Sequence, residues 1–307
     1  MKKVKCFLFF LGLMTFALSS CNEEEVIMDN PEAETILDVA YANTSSAQVM
    51  DIYIPEGEGP FPAVVYIHGG GFFTGDKSAG TTYTDFLVQH GYVAVSINYR
   101  LSGEAVFPAA IQDGKAAIRF LRANAATYRI DADHIGSWGD SAGGNLASML
   151  GTSSGDAFTE DFSLGNENFS SKVSATVDWF APINFSSIVS EANALGLPGF
   201  MGGGVNTDLE ADYMGLAQIE ADPALVALAN PSTYIDAEDA AFFIQAGSAD
   251  ELMPYTQSEN FYNALLSVLG ANKVSYELIP GAGHGGEAFD TESNLQKVLA
   301  FFDSHLK

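Results

Sequence analysis

Five residues, Gly139-Asp140-Ser141-Ala142-Gly143, put a serine where its hydroxyl can attack an acyl carbon. They follow the apolar run Ile135-Gly136-Ser137-Trp138 and precede Gly144-Asn145-Leu146, an order that reads as strand, sharp turn, helix start. A turn tight enough to lift a serine above a sheet strains that residue's backbone and leaves no room for side chains two positions either way, hence the two glycines. The helix that follows turns its positive end toward the serine. G-x-S-x-G arises often by chance, so it carries weight only with a base, an acid and oxyanion donors elsewhere in the chain.

In the α/β-hydrolase arrangement of such an elbow the partners follow in the order serine, acid, histidine. Only His284 and His305 lie after Ser141. His305 falls in a terminal helix two residues from the end and reads as solvated. His284 sits in Pro280-Gly281-Ala282-Gly283-His284-Gly285-Gly286, a glycine-rich loop after an apolar run, and is the expected base. The acid should follow the preceding strand, where Asp250 and Glu251 offer two carboxylates. Asp250 is preferred as the first and shorter of the two; Glu251 is the alternative, and either could instead cap the helix starting near Tyr255.

Oxyanion donors must be backbone N–H groups free of side chains. His68-Gly69-Gly70-Gly71-Phe72 follows the apolar run Ala63 to Ile67 and supplies Gly70 and Gly71; Ala142, next to the serine, supplies a third. His68 reads as a brace for this loop. Phe72, Phe73, Trp179 and Tyr255 are either pocket walls or core aromatics. His90 and His134 stand apart from each other and from His68, which gives no metal-ligand spacing. With no G-x-G-x-x-G after a strand and no Walker loop, neither metal, cofactor nor nucleotide is expected.

The elements that must hold these residues are legible as apolar runs and helical periods. Strands are predicted at Val49 to Ile54, Ala63 to Ile67, Tyr92 to Ile97, Ile135 to Trp138, Val173 to Phe180, Ala241 to Ala246 and Val274 to Ile279. Helices are predicted at Thr82 to Gln89, Pro108 to Ala126, after Ser141, near Asp222 to Leu228, and at Tyr255 to Leu269 and Asn294 to His305. Strand and helix alternate as in βαβ units, so the fold class is α/β with a mostly parallel central sheet and helices on both faces. Residues 185–229 are glycine-rich and irregular, short of apolar content for a core of their own, and read as a lid-like insertion.

The 307 residues carry 39 acidic against 13 basic side chains, a net charge of -26, which makes nucleic acid a poor partner. Lys2, Lys3 and Lys5 before the apolar run Phe7 to Leu18 give residues 1–20 the form of a secretory signal too short for a comfortable membrane span. Leu18-Ser19-Ser20-Cys21 resembles the lipobox of bacterial lipoproteins, which implies lipidation at Cys21 and a chain anchored in the cell envelope, at the outer membrane, periplasmic or surface-exposed. Cys6 would leave with the signal, so no disulfide is expected. Residues 21–35 read as an acidic tether, and Asn22-Glu23-Glu24-Glu25 is similar to the acidic tag of some surface-exported lipoproteins. The folded domain is expected over 36–307.

Several motifs together resemble one family. They are His68-Gly69-Gly70-Gly71-Phe72 with Gly75-Asp76-Lys77, Asn98-Tyr99-Arg100-Leu101, Phe107-Pro108-Ala109-Ala110-Ile111-Gln112-Asp113, Gly139-Asp140-Ser141-Ala142-Gly143-Gly144, Ala229-Asn230-Pro231-Ser232-Thr233-Tyr234 and Pro280-Gly281-Ala282-Gly283-His284-Gly285. From about residue 36 onward the chain is similar to bifunctional feruloyl/acetyl-xylan esterase-type α/β-hydrolases and, more distantly, to the hormone-sensitive-lipase group. Met253-Pro254-Tyr255-Thr256-Gln257-Ser258 is nearer the first type, and the long N-terminal cap common in the second is missing. The resemblance implies a serine carboxylesterase for short-chain or aryl esters, including acetyl or feruloyl groups on plant polysaccharide, with a small ester or esterified oligosaccharide as its partner. The alternatives are a peptidase or lipase on the same scaffold, or a glycan-binding surface lipoprotein that does not use its catalytic apparatus.

Overall fold

In the computed structural model, residues 31–199 and 204–307 are described. The expected signal, Cys21 and most of the tether lie outside the described residues. Among the described residues, eight strands form one sheet: β1 (Glu34–Ala40), β2 (Val49–Ile54), β3 (Phe61–Ile67), β4 (Val93–Ile97), β5 (Ile130–Asp140), β6 (Ala175–Trp179), β7 (Ala241–Gly247) and β8 (Val274–Ile279). Their order is β1-β2-β4-β3-β5-β6-β7-β8, with β2 antiparallel to β1 and β4 and all other pairs parallel.

The helices are α1 (Thr81–Gln89), α2 (Ala109–Ala123), α3 (Ala142–Thr152), α4 (Ile188–Leu195), α5 (Asp208–Met214), α6 (Pro223–Ala227), α7 (Thr256–Leu269), α8 (Glu287–Asp290) and α9 (Glu292–Leu306). Successive side chains of a strand leave opposite faces, and β3 shows both faces buried. Ala63, Val65 and Ile67 join one apolar cluster with Ile111 and Leu121 of α2, Leu146 of α3 and Phe261 and Leu265 of α7. Val64 and Tyr66 join the other, with Phe86 and Leu87 of α1 and Val298 and Phe302 of α9. Burial on both faces is why these strands read as unbroken apolar runs.

The structure departs from the sequence-based expectation in a few places. β1 was not predicted; Glu34 and Thr35, assigned to the tether, already belong to it. It is an edge strand with mostly exposed side chains, so it carries no apolar alternation. β5 extends from Ile130 past the polar residues Asp131 to His134, where its register against β3 shifts. The 185–229 stretch contains α4, α5 and α6, whose buried Ile188, Ala211, Met214 and Val226 feed the cluster under the sheet and form no separate core. α6 begins as its sequence directs, with the Asp222 carboxylate accepting the Leu225 N–H at 3.0 Å ahead of Pro223.

Parallel pairing brings the C-terminal ends of β3, β5, β7 and β8 to one edge of the sheet. The loops carrying Gly70 and Gly71, Ser141, Asp250 and His284 all leave from that edge, where open α/β sheets place their ligands.

Candidate active site

Ser141 stands between the last residue of β5 and the first of α3, at φ 51° and ψ -122°. A left-handed backbone at a residue with a Cβ costs about 1–3 kcal/mol and persists only where neighbours hold it. Here the Ser141 N–H donates to the Trp179 carbonyl at 2.8 Å, and the Ser141 carbonyl accepts from the Asn145 N–H at 3.1 Å. The flanking glycines answer to close contact. A Cβ on Gly139 would lie 2.2 Å from the Gly143 carbonyl oxygen, and one on Gly143 would lie 2.0 Å from that of Ile67.

Three side chains of distant sequence form one hydrogen-bonded row. Ser141 Oγ is 2.9 Å from His284 Nε2, and His284 Nδ1 is 2.7 Å from Asp250 Oδ2. The other oxygen of Asp250 accepts the N–H groups of Leu252 and Met253, each at 2.8 Å, so the buried carboxylate is fully partnered. Those bonds orient Oδ2 toward the imidazole. The loops bearing acid and histidine are tied together: Ala249 N–H donates to the Ala282 carbonyl at 2.8 Å, and Gly281 N–H to Ser248 Oγ at 2.8 Å. Phe180 packs its ring 4.7 Å from that of His284. Glu251, the alternative acid, is exposed, and neither carboxylate caps α7, whose N-cap Tyr255 makes no side-chain cap bond. His305 is half-buried against the Phe301 ring at 4.9 Å, which corrects the solvated reading; burial lowers its pKa.

Gly70 and Gly71 take φ of 108° and 60°, and the Gly70 carbonyl accepts from Phe73 and Thr74 in a tight turn. Among the described residues, no protein acceptor takes the N–H of Gly70, Gly71 or Ala142. His68 does brace this loop. Its ring stacks on Tyr99 at 4.5 Å and its Nδ1 bonds the Gly69 carbonyl at 2.8 Å, while burial lowers its pKa and favours the neutral imidazole.

The sequence reads Asp140 as no more than support of the turn, and the structure shows its partners. Its Oδ1 accepts the Tyr66 hydroxyl at 2.5 Å and the Gly69 N–H at 3.1 Å, linking the glycine loop to the residue beside Ser141. Burial pushes its pKa up, against the pull of those two donors. The carboxylate next to the serine was visible in the sequence; its partners, some 70 positions upstream, were not.

Ser141, His284, Gly70, Gly71 and Ala142 open on one cavity of about 670 Å³, a size that holds a drug-sized ligand. Phe72 and Trp179 line it although both are nearly inaccessible, so they are wall and core at once. Phe73 is exposed and faces a separate, smaller cavity, and Tyr255 is not part of the wall. Val205, Asn206, Leu209 and Glu210, from the 185–229 stretch, line the same cavity.

Comparison with known proteins finds similar chains. A carbohydrate esterase from gut microbiota, solved in truncated form, is 31% identical over 90% of this chain and 97% of its own, with a TM-score of 0.78. The bifunctional GH43-CE protein of Bacteroides eggerthii is 35% identical over 88% of this chain but only 35% of its own, with a TM-score of 0.76. Esterase LipQ of Mycobacterium tuberculosis is 28% identical over 85% of this chain and 59% of LipQ, so the chain spans less than two thirds of that relative's length. The BD-FAE family model matches residues 50–265, well over half of the chain. With this sheet and this match, the chain has the α/β-hydrolase fold and belongs to the BD-FAE family.

Proposed function

We propose that the protein is a serine carboxylesterase that cleaves short-chain or aryl esters, such as the acetyl or feruloyl groups of plant polysaccharide, through an acyl-enzyme. The observation that carries this reading is the row Ser141–His284–Asp250 opening on a cavity beside unused backbone N–H groups. Likeness to proteins named carbohydrate esterase and esterase supports it.

In the first step Ser141 Oγ attacks the ester carbonyl while His284 Nε2 takes the hydroxyl proton. Asp250 accepts the Nδ1–H, which fixes the tautomer with Nε2 free and stabilises the imidazolium. The carbonyl oxygen, now negative, receives the N–H groups of Gly70, Gly71 and Ala142, already oriented and therefore without reorganisation cost. Collapse breaks the bond to the alcohol oxygen, which leaves with the proton from His284. Water then gives a proton to His284 and attacks the acyl-serine, and a second collapse releases the acid and returns the proton to Ser141. The 185–229 insertion acts as the cavity's lid, and Cys21 carries the lipid that holds the enzyme to the cell envelope.

The test is Ser141→Ala. It should abolish hydrolysis of p-nitrophenyl acetate and labelling by a fluorophosphonate probe, with the fold retained; full activity in that variant would end the proposal.

A further inference from the structure

Glu210 lies on α5 and lines the cavity that holds Ser141 and His284. It is only 8% exposed. Apart from its own backbone N–H, no donor or cation among the described residues reaches its carboxylate. Buried carboxylates are otherwise paired, because an ion removed from water without donors is costly. Glu210 bears that cost: burial pushes its carboxyl up to about 7, and the charge of Asp208 adds to the rise. Glu210 is among the residues that line the cavity, so a ligand bound there can bring the missing donor.

The chemistry of the surrounding wall selects among donors. Asn206, an exposed residue, lines the same cavity, and its Oδ1 is engaged by the Asp208 N–H at 3.2 Å, which leaves its amide N–H groups open to solvent or to a ligand. One wall therefore offers a strong acceptor beside a donor. A hydroxyl both donates and accepts and satisfies the two together. An ammonium would satisfy Glu210 and face the Asn206 N–H dipole; an alkyl chain would satisfy neither. Rings of Tyr83, Phe180 and Phe289 complete a cavity larger than an acetyl group requires.

We propose that Glu210, assisted by Asn206, is a specificity residue that accepts a hydrogen bond from a hydroxyl group of the ester substrate. This deepens the esterase reading and rests on it. Two sources share that chemistry: the free hydroxyls of a sugar alcohol and the phenolic hydroxyl of an aryl acyl group.

The experiment compares kcat/KM on four esters with p-nitrophenyl acetate as reference. The four are a monoacetylated methyl xyloside, its O-methylated analogue, ethyl ferulate, and its phenol methyl ether. Assayed at pH 8, above the raised value of Glu210 so that its carboxylate is ionised, wild-type enzyme should prefer one hydroxyl-bearing ester over its methylated partner by roughly 10- to 100-fold, the scale of a hydrogen bond to a charged group. Glu210→Ala should erase that preference, with Glu210→Gln intermediate and Asn206→Ala reducing it in the same direction. Preference for the xyloside identifies a sugar hydroxyl; preference for ferulate identifies the phenol. Equal losses on free and methylated esters, or a wild type indifferent to methylation, would overturn the proposal. So would turnover of p-nitrophenyl acetate with none of either hydroxyl-bearing ester. A wild type inert toward every ester would overturn the esterase reading as well. Thermal unfolding of each variant separates loss of recognition from loss of fold, and Asn206→Ala gives an independent readout should the Glu210 variants not fold.

Discussion

The ring of Phe72 lies flat on the ring of Tyr213, with 3.9 Å between centroids and 8° between planes. Phe72 follows Gly70 and Gly71 directly, and Tyr213 belongs to α5. Leu209, on the same helix, closes in so far that a Cβ on Gly71 would meet its Cδ1 at 2.6 Å. α5 thus packs directly against the loop that carries Gly70 and Gly71. Tyr213→Phe keeps the stacked rings and should leave both stability and p-nitrophenyl acetate turnover near wild type. Tyr213→Ala removes a buried ring, should cost about 3–5 kcal/mol in urea unfolding, and should lower kcat by loosening that loop. Equal kcat in the two variants would mean that the stack plays no part in the loop's position.

Asp140 supports the same loop from the other side, through the Gly69 N–H. Asp140→Asn keeps an acceptor oxygen for Gly69 and Tyr66, whereas Asp140→Ala leaves both donors unpaired in a buried place. The expected result is a loss of about 1–3 kcal/mol in stability for the alanine variant, together with a fall in kcat that the asparagine variant largely restores. A kcat unaffected by alanine would show that the bond to Gly69 has no influence on turnover.

What the sequence disclosed follows from how local each cause is. The glycines around Ser141 are dictated by contacts within one turn and with the neighbouring strand, so a five-residue pattern is enough to find them. Strands β3, β4 and β7, buried on both faces, announce themselves as apolar runs. β1 is exposed at the sheet edge, and no pattern marks it. Glu210 escaped for a different reason: between Asp208 and Asp212 it looks like one more solvated acid, yet it shares the buried side of α5 with Ala211 and Met214. Its i, i+1, i+4 spacing with those apolar residues was the available signal. Asp140 could be read only as support of the turn, because its partners Tyr66 and Gly69 lie across the sheet edge.

Gly143→Ala tests how tightly the elbow is built. The added Cβ would come within 2.0 Å of the Ile67 carbonyl oxygen and 2.6 Å of that of His68, both backbone atoms that cannot swing aside. The substitution should therefore displace the start of α3 from β3, abolish fluorophosphonate labelling of Ser141 and lower the thermal midpoint. Gly114→Ala is the control, since its nearest neighbour, a Leu150 methyl, lies at 3.7 Å and within ordinary contact; it should fold and react like wild type. Normal labelling of the Gly143→Ala protein would contradict the steric account of the motif.

Asp178 should make stability depend on pH in a direction opposite to that of a salt-bridged carboxylate. It lies fully buried on β6, where Ser148 Oγ donates to it at 2.7 Å and the Ala181 N–H at 3.2 Å. Burial outweighs both donors and pushes its carboxyl from 3.8 up to about 7. Between those values the folded chain holds a proton that the unfolded chain has released, so protonation favours folding there. Its contribution is fully present below pH 3.8 and is lost as pH rises through about 7. Asp178→Asn cannot titrate and lacks this dependence. Urea midpoints of wild type and variant, measured at intervals from pH 4 to 8, should show wild type losing ground steadily relative to the variant up to about 7 and holding a constant offset beyond it. The difference isolates Asp178 from the many other carboxylates, which both proteins share. A difference that stays flat across that range would mean that the folded protein keeps Asp178 ionised throughout.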